Sequence, residues 1–118
     1  MLIYHHLGVW KHGNAVVVRF GDHQILDEIT VKKIAEELYG VADREDCQHL
    51  ILDFSSVLSL TSLMLGKLLM LRKKMASKGG RLVLCDISPE VQDVLVGTKL
   101  SEVLEVMESE ADALKELA

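Results

Sequence analysis

Thr61 and Ser62 place two hydroxyls side by side where a short apolar run, Leu50–Phe54, and its loop give way to a helix-forming stretch. Two chemistries are open to them. Either hydroxyl can act as an N-cap, accepting a free amide of the first helical turn, a role worth about 1 kcal/mol. A hydroxyl at a helix start can also be a phosphoacceptor, since a phosphate there brings about two negative charges and three acceptor oxygens. Free amides and the positive end of the helix dipole accommodate such a group. On that reading the helix survives, and phosphorylation acts by changing surface charge.

The other reactive residues do not converge on a catalytic set. His5, His6, His12, His23 and His49 are spread over turns and strand edges. His5 and His6, read as neighbours on a strand, point to opposite faces and cannot share a metal there, and metal sites need clustered ligands. Cys47 and Cys85 stand far apart, with no Cys-x-x-Cys and no histidine at ligand spacing, so reduced thiols are expected. Gly66-Lys67 is followed by Leu68 and lacks the earlier glycine of a phosphate-binding loop, and no Gly-x-Ser-x-Gly elbow is present. Asp22, Asp27, Asp53 and Asp86 fall near strand ends, where open α/β sheets bind ligands, though capping and turn roles account for most of them. The expectation is a binding protein and not an enzyme, with no catalytic residue, cofactor or metal.

The elements that must position the hydroxyls can be read from periodicity. Met1–His6 reads as a short strand, Trp10-Lys11-His12-Gly13-Asn14 as turn chemistry, and the β-branched run Ala15–Phe20 as the hairpin partner. Gly21–Leu26 is a loop or a short extended piece. Asp27 is placed to cap a helix whose Val31, Ile34, Ala35, Leu38 and Val41 form one apolar stripe, opposite Lys32, Lys33, Glu36 and Glu37. Leu50–Phe54 suits a strand covered on both faces, with Ser55–Leu60 the loop after it. From Thr61 or Ser62 a second helix runs to about Lys78, burying Met64, Leu68, Leu71 and Met75. Its Lys67, Lys73, Lys74 and Lys78 face outward, and Gly79-Gly80 ends it. Arg81–Cys85 is the next buried strand. Ser88-Pro89-Glu90 starts a helix carrying Val91, Val94 and Leu95 and closed by Gly97. Val103–Val106 reads as a last edge strand, and Ser109–Ala118 as a C-terminal helix with Ser109 and Asp112 in capping-box spacing. The order β-β-α-β-α-β-α-β-α predicts an α/β fold, a mixed and mostly parallel sheet with helices packed on it.

Composition narrows the partners. A chain of 118 residues suits one domain spanning 1–118, able to bury about two-thirds of its unfolded surface. Its apolar fraction of 49% supports a packed globule over disorder. The formal charge is −5, whereas nucleic-acid binding draws on Lys and Arg along a basic stripe, so nucleic acid is not an expected partner. The cluster Arg72, Lys73, Lys74 and Lys78 reads as the solvated side of a helix. No basic-then-apolar leader opens the chain, and the longest apolar run, Leu63–Leu71, is broken by Lys67 and falls short of a membrane span. A cytoplasmic protein with no membrane contact is expected.

The stretch LILDFSSVLSLTSLMLGKLLMLRKKMASKGGRLVLCDISPEV resembles the heart of the STAS domain of anti-sigma-factor antagonists. In that family a strand ends in a loop carrying Asp-Ser-[Ser/Thr]-Gly-Leu-Gly that opens a helix; a Gly-Gly, a strand and an Ile-Ser-Pro helix follow. Counting back from Gly79-Gly80 sets the family's acid on Thr61 and its phosphorylated serine on Ser62. Leu63 and Met64 come next, and Leu65 and Gly66 match. Upstream, GDHQILDEITVKKIAEEL resembles the family's Gly-x-Leu-Asp loop and first helix, with Leu26-Asp27 matching the Leu-Asp pair. The resemblance covers residues 14 to 107. Thr61 in place of the acid alters what a kinase meets, and Met64 in place of glycine adds apolar bulk.

The resemblance implies a partner switch. The unphosphorylated antagonist binds an anti-sigma factor that is also a histidine-kinase-like serine kinase; phosphorylation of Ser62 breaks the complex, and a serine phosphatase resets it. The implied partner-binding residues are Asp27, Thr61, Ser62, Leu63 and Met64, and a weak homodimer is compatible with the resemblance. The alternative is a STAS scaffold or small-ligand-sensing module that is never phosphorylated. A small α/β hydrolase or phosphatase is disfavoured because no nucleophile–base pair is visible.

Overall fold

The computed structural model describes residues 4–118. The chain runs through β1 (Leu7–His12), β2 (Ala15–Phe20), β3 (Gln24–Ile25), α1 (Glu28–Ala42), β4 (His49–Asp53) and β5 (Ser59–Leu60). It continues through α2 (Ser62–Ser77), β6 (Leu82–Cys85), α3 (Pro89–Gly97), a 3-10 turn at Leu100–Glu102, β7 (Glu105–Met107) and α4 (Glu110–Leu117). Five strands form one sheet in the order β1-β2-β4-β6-β7, antiparallel at the β1–β2 hairpin and parallel beyond it. This is the expected mixed, mostly parallel α/β architecture.

After β2 each crossover steps one strand in the same direction, so crossovers of the usual right hand put α1, α2 and α3 on one face. The main core lies there: Val31, Leu38, Leu68, Leu71, Val91 and Leu95 pack on Val16, Val18, Leu50, Leu52, Leu82 and Leu84. The alternate residues Ala15, Val17, Ile51, Val83 and Cys85 face the other way, under Ala113 and Leu117 of α4. Burial on both faces explains why β2, β4 and β6 read as continuous apolar runs.

Several expectations shift. Met1–Ile3 of the expected first strand lie outside the described residues, and Tyr4–His6 precede the strand without joining it. Trp10, Lys11 and His12 are strand, not turn: His12 pairs with Ala15, leaving Gly13-Asn14 as a two-residue loop. Gly13 sits at φ +58°, the positive value that Gly-first hairpin turns require. An edge strand tolerates the polar residues that disguised it. His6 is therefore off the sheet, its Nδ1 2.8 Å from Asp22 Oδ1. The last strand falls at Glu105–Met107, since Val103 closes the 3-10 turn. Gly97 is the last residue of α3, as expected, with Lys99 left-handed beyond it at φ 62°, and Gly79 (φ +75°) ends α2.

The basic cluster of α2 divides. Arg72 and Lys73 are exposed, but Lys74 pairs with Asp43 at 3.0 Å and lies over the Tyr39 ring. Lys78 donates to the carbonyls of Ala42 and Arg44 at 2.7 and 3.1 Å, satisfying acceptors at the C-terminus of α1. Half of the expected solvated face thus fastens two helix ends together.

Candidate functional site

The loops after β2 and β4 each contain a two-residue strand, and these pair in parallel: Gln24 with Ser59 and Ile25 with Leu60. The amide of Leu58 donates to His23 O at 2.7 Å and that of Thr61 to Ile25 O at 3.2 Å. Ile25 and Leu60 are buried, which anchors the small ladder to the core. Because α1 and α2 both begin within three residues of it, their N-termini are held side by side, with Asp27 at one and Thr61-Ser62 at the other.

Asp27 caps α1 from an extended backbone (φ −85°, ψ 150°), its Oδ2 accepting the Thr30 amide at 2.8 Å. That bond, with Lys33 as a weaker contributor, holds its carboxyl below the ordinary aspartate range. Thr61 occupies the equivalent place on α2 (φ −99°, ψ 166°) but makes no side-chain cap. Its carbonyl accepts the Met64 amide at 3.1 Å, while its Oγ1 is buried and has no partner among the described residues. The helix starts capped by Asp27, Ser88 and Ser109 all have side-chain acceptors; α2 does not. Its first two amides, of Ser62 and Leu63, have no acceptor among the described residues.

Ser62 is the first residue of α2 and is exposed. Leu63 beside it is 44% exposed. Met64 is the correction: it is wholly buried in the main core, so it supports the loop from beneath and offers a partner no surface. Sequence reasoning missed Leu26, Ile29 and Leu58, which are exposed apolar side chains flanking Asp27 and β5. Ile29 had a legible signal, since it falls outside the Val31–Val41 stripe and yet is apolar. A shallow cleft of about 110 Å³ runs between α1 and α2, lined by Glu28, Val31, Lys32, Leu63 and Lys67. The larger hollow, about 660 Å³, is bounded by His5, His6, Lys33, Glu36 and Glu37 and includes none of the helix-start residues.

One group among the described residues has metal-like spacing: ligand atoms of Asp53, Cys85 and Asp86 lie within 4.8 Å of one another. Its carboxylates are already engaged. Asp53 accepts from the Ser55 amide at 2.8 Å and from Arg19 Nε at 3.2 Å, and Asp86 accepts from the Glu110 amide at 3.0 Å. Burial raises the Asp53 carboxyl, but the bonds from Ser55, the neighbouring Glu110 and the Arg19 charge outweigh it and leave it lowered. Burial raises the Cys85 thiol, so it stays protonated. The cluster is polar anchorage between strand ends and α4. Among the described residues, no helix is long and apolar enough to cross a membrane.

Two helix starts clamped by a short ladder thus stand at one end of a β1-β2-β4-β6-β7 sheet. The profile of the STAS domain family matches residues 9–113. The chain belongs to that family. It is 28% identical over 106 residues to the anti-sigma F factor antagonist of Paenibacillus polymyxa, covering 90% of this chain and 89% of that protein. Among solved structures, an anti-sigma-factor antagonist (STAS) domain protein from Planctomyces limnophilus superposes with a TM-score of 0.84 at 22% identity, over 95% of this chain and 97% of the other. The Bacillus cell fate determinant SpoIIAA in its phosphorylated form superposes with a TM-score of 0.70 at 17% identity, over 95% and 99% of the two chains. At such identities the superpositions establish the fold.

Proposed function

We propose that this protein is an anti-sigma factor antagonist that grips its anti-sigma factor with the paired helix starts and lets go when Ser62 is phosphorylated. The observation that carries the reading is the exposure of Ser62 at the uncapped start of α2, with exposed Leu26, Ile29, Leu58 and Leu63 on the neighbouring segments. The name of the Paenibacillus relative, an anti-sigma F factor antagonist, supports it. A partner seated on those leucines and the isoleucine desolvates the Ser62 hydroxyl. In the switch, Ser62 Oγ attacks the γ-phosphorus of ATP bound to a histidine-kinase-like serine kinase; the bond to the β-phosphate oxygen breaks, ADP leaves, and the hydroxyl proton passes to the kinase. A phosphoserine in a desolvated apolar contact costs several kcal/mol, enough to dissolve the complex, and a serine phosphatase restores the hydroxyl. Such a switch operates in the cytoplasm.

The test is to incubate the protein with its cognate kinase and ATP, locate phosphate by mass spectrometry, and titrate the partner against Ser62→Ala and Ser62→Asp by calorimetry. Ser62 is expected to be the modified residue, Ser62→Ala to bind as the parent does, and Ser62→Asp to lose about 100-fold or more in affinity. Phosphate found on another residue, or equal binding by Ser62→Asp, would sink the assignment. Equal binding would favour a second reading, a STAS scaffold or ligand-sensing module without phosphorylation, for which the motivation is Thr61 standing where the family carries an acid.

A further inference from the structure

Among the described residues, the face of the sheet opposite α1–α3 is covered by α4 alone. That helix has eight residues and buries only Ala113 and Leu117, with Leu114 partly buried. A helix this short does not hold itself together in water, so its structure depends on docking.

The docking is mostly polar, and each arginine involved has a second carboxylate. Arg19 Nη2 reaches Glu110 at 2.7 Å, but Arg19 Nε also pairs with Asp53 at 3.2 Å, and the guanidinium lies 5.3 Å from the centroid of the Trp10 ring. Arg81 Nη2 meets Glu116 at 2.8 Å and also Glu105 of β7 at 2.6 Å. Releasing α4 therefore orphans neither arginine. The Glu110 amide on Asp86 is lost without a substitute, and so is the Glu110 side chain beside Asp53. Beneath the helix lie Ala15, Val17, Ile51, Val83 and the thiol of Cys85, whereas Cys47 belongs to the main core on the other face.

We infer that α4 is a removable cover: it lifts off the sheet as a unit, hinged at Glu108-Ser109, while the five-stranded sheet and α1–α3 stay folded. The lifted form bares an apolar sheet face lying on the opposite side of the sheet from α1 and α2. Local opening of this kind is governed by how little apolar contact secures a segment, and the apolar contact of α4 is Ala113 and Leu117, with Leu114 partly buried beside them.

The two thiols report on it directly. In native buffer at pH 8, with an excess of iodoacetamide, the alkylation rates of Cys85 and Cys47 are followed separately by peptide mass spectrometry. Leu117→Ala is expected to speed Cys85 labelling by about tenfold or more and leave Cys47 unchanged. Glu116→Gln, which keeps the core intact, is expected to speed Cys85 alone by a smaller factor. Equal acceleration of both thiols would mean that α4 opens only with the whole fold, and no acceleration of Cys85 would mean that α4 does not gate it; either result overturns the inference.

Discussion

The Thr61 hydroxyl is in an expensive place. A buried hydroxyl without a partner forfeits its hydration, and replacing it by an apolar group of the same shape removes that penalty. Thr61→Val is therefore expected to stabilise the protein by about 1 kcal/mol, read as a higher urea midpoint at unchanged slope. A threonine that capped α2 would respond in the opposite sense. Asp53 gives a second test at this scale. Its folded carboxyl lies below the ordinary range, so the stability it confers is complete above the unfolded value of about 3.9 and drains away as pH falls through the folded one. Asp27 is lowered too and acts in the same direction. Asp46 and Glu105, each beside an arginine, are lowered as well, and Asp53→Asn removes one of these four contributions: melting temperatures followed from pH 6 to pH 3 are expected to fall less steeply than in the parent, from a lower start because Arg19 loses a counter-charge.

At the level of elements, two glycines separate by what surrounds them. Gly66 lies inside α2 with nothing within 4 Å of the position a Cβ would take, and glycine weakens a helix interior. Gly66→Ala is expected to raise stability by about 0.5–1 kcal/mol. Gly80 lies against the Gln48 carbonyl, with Met75 Cε also close, so Gly80→Ala must displace backbone and is expected to cost about 1–3 kcal/mol. Thermal denaturation of both variants checks the opposite signs. Elements of this kind were readable where a local rule decides them. Asp27, Ser88 and Ser109 each accept the amide three residues on, because capping depends on residue type and the turn that follows. The stripes of α1 and α2 were readable for the same reason. β3 and β5 were not, since two residues show no periodicity and their pairing is a contact between distant segments. Leu26 and Leu58 therefore looked like ordinary loop leucines, and nothing in the residue type of Thr61 distinguishes a cap from a sealed hydroxyl. Trp10-Lys11-His12 was misread because an edge strand obeys solvent on one side.

For the molecule as a whole, the separation between fold and function can be measured at one position. Ser62 is exposed at the first turn of α2, where a negative charge interacts favourably with the helix dipole by about 0.3–1 kcal/mol. Ser62→Asp should melt at or slightly above the parent's temperature, with an unchanged far-UV spectrum, while the same variant loses its partner. A fall in melting temperature would mean that the charge unfolds the loop, and that the proposed switch would work through structure and not surface potential. Such a division of labour fits a sheet whose buried strands carry the stability and whose rim carries the proposed site.

The β3–β5 ladder also dictates where the chain tolerates a change in length. Only Leu26 separates Ile25 from the Asp27 cap, and nothing separates Leu60 from Thr61. An extra residue at either place has nowhere to bulge and must swing a helix start about its axis, carrying Asp27 or Ser62 out of alignment. Upstream of the ladder the chain is fastened too: the Gly21 amide donates to His6, His23 meets the Ser56 carbonyl, the Ser56 hydroxyl donates to Phe20, and Phe54 and Val57 are buried in the core. Insertions and deletions among natural relatives should therefore spare both connections from strand end to helix start, a pattern that a comparison of family members can display without a single mutant.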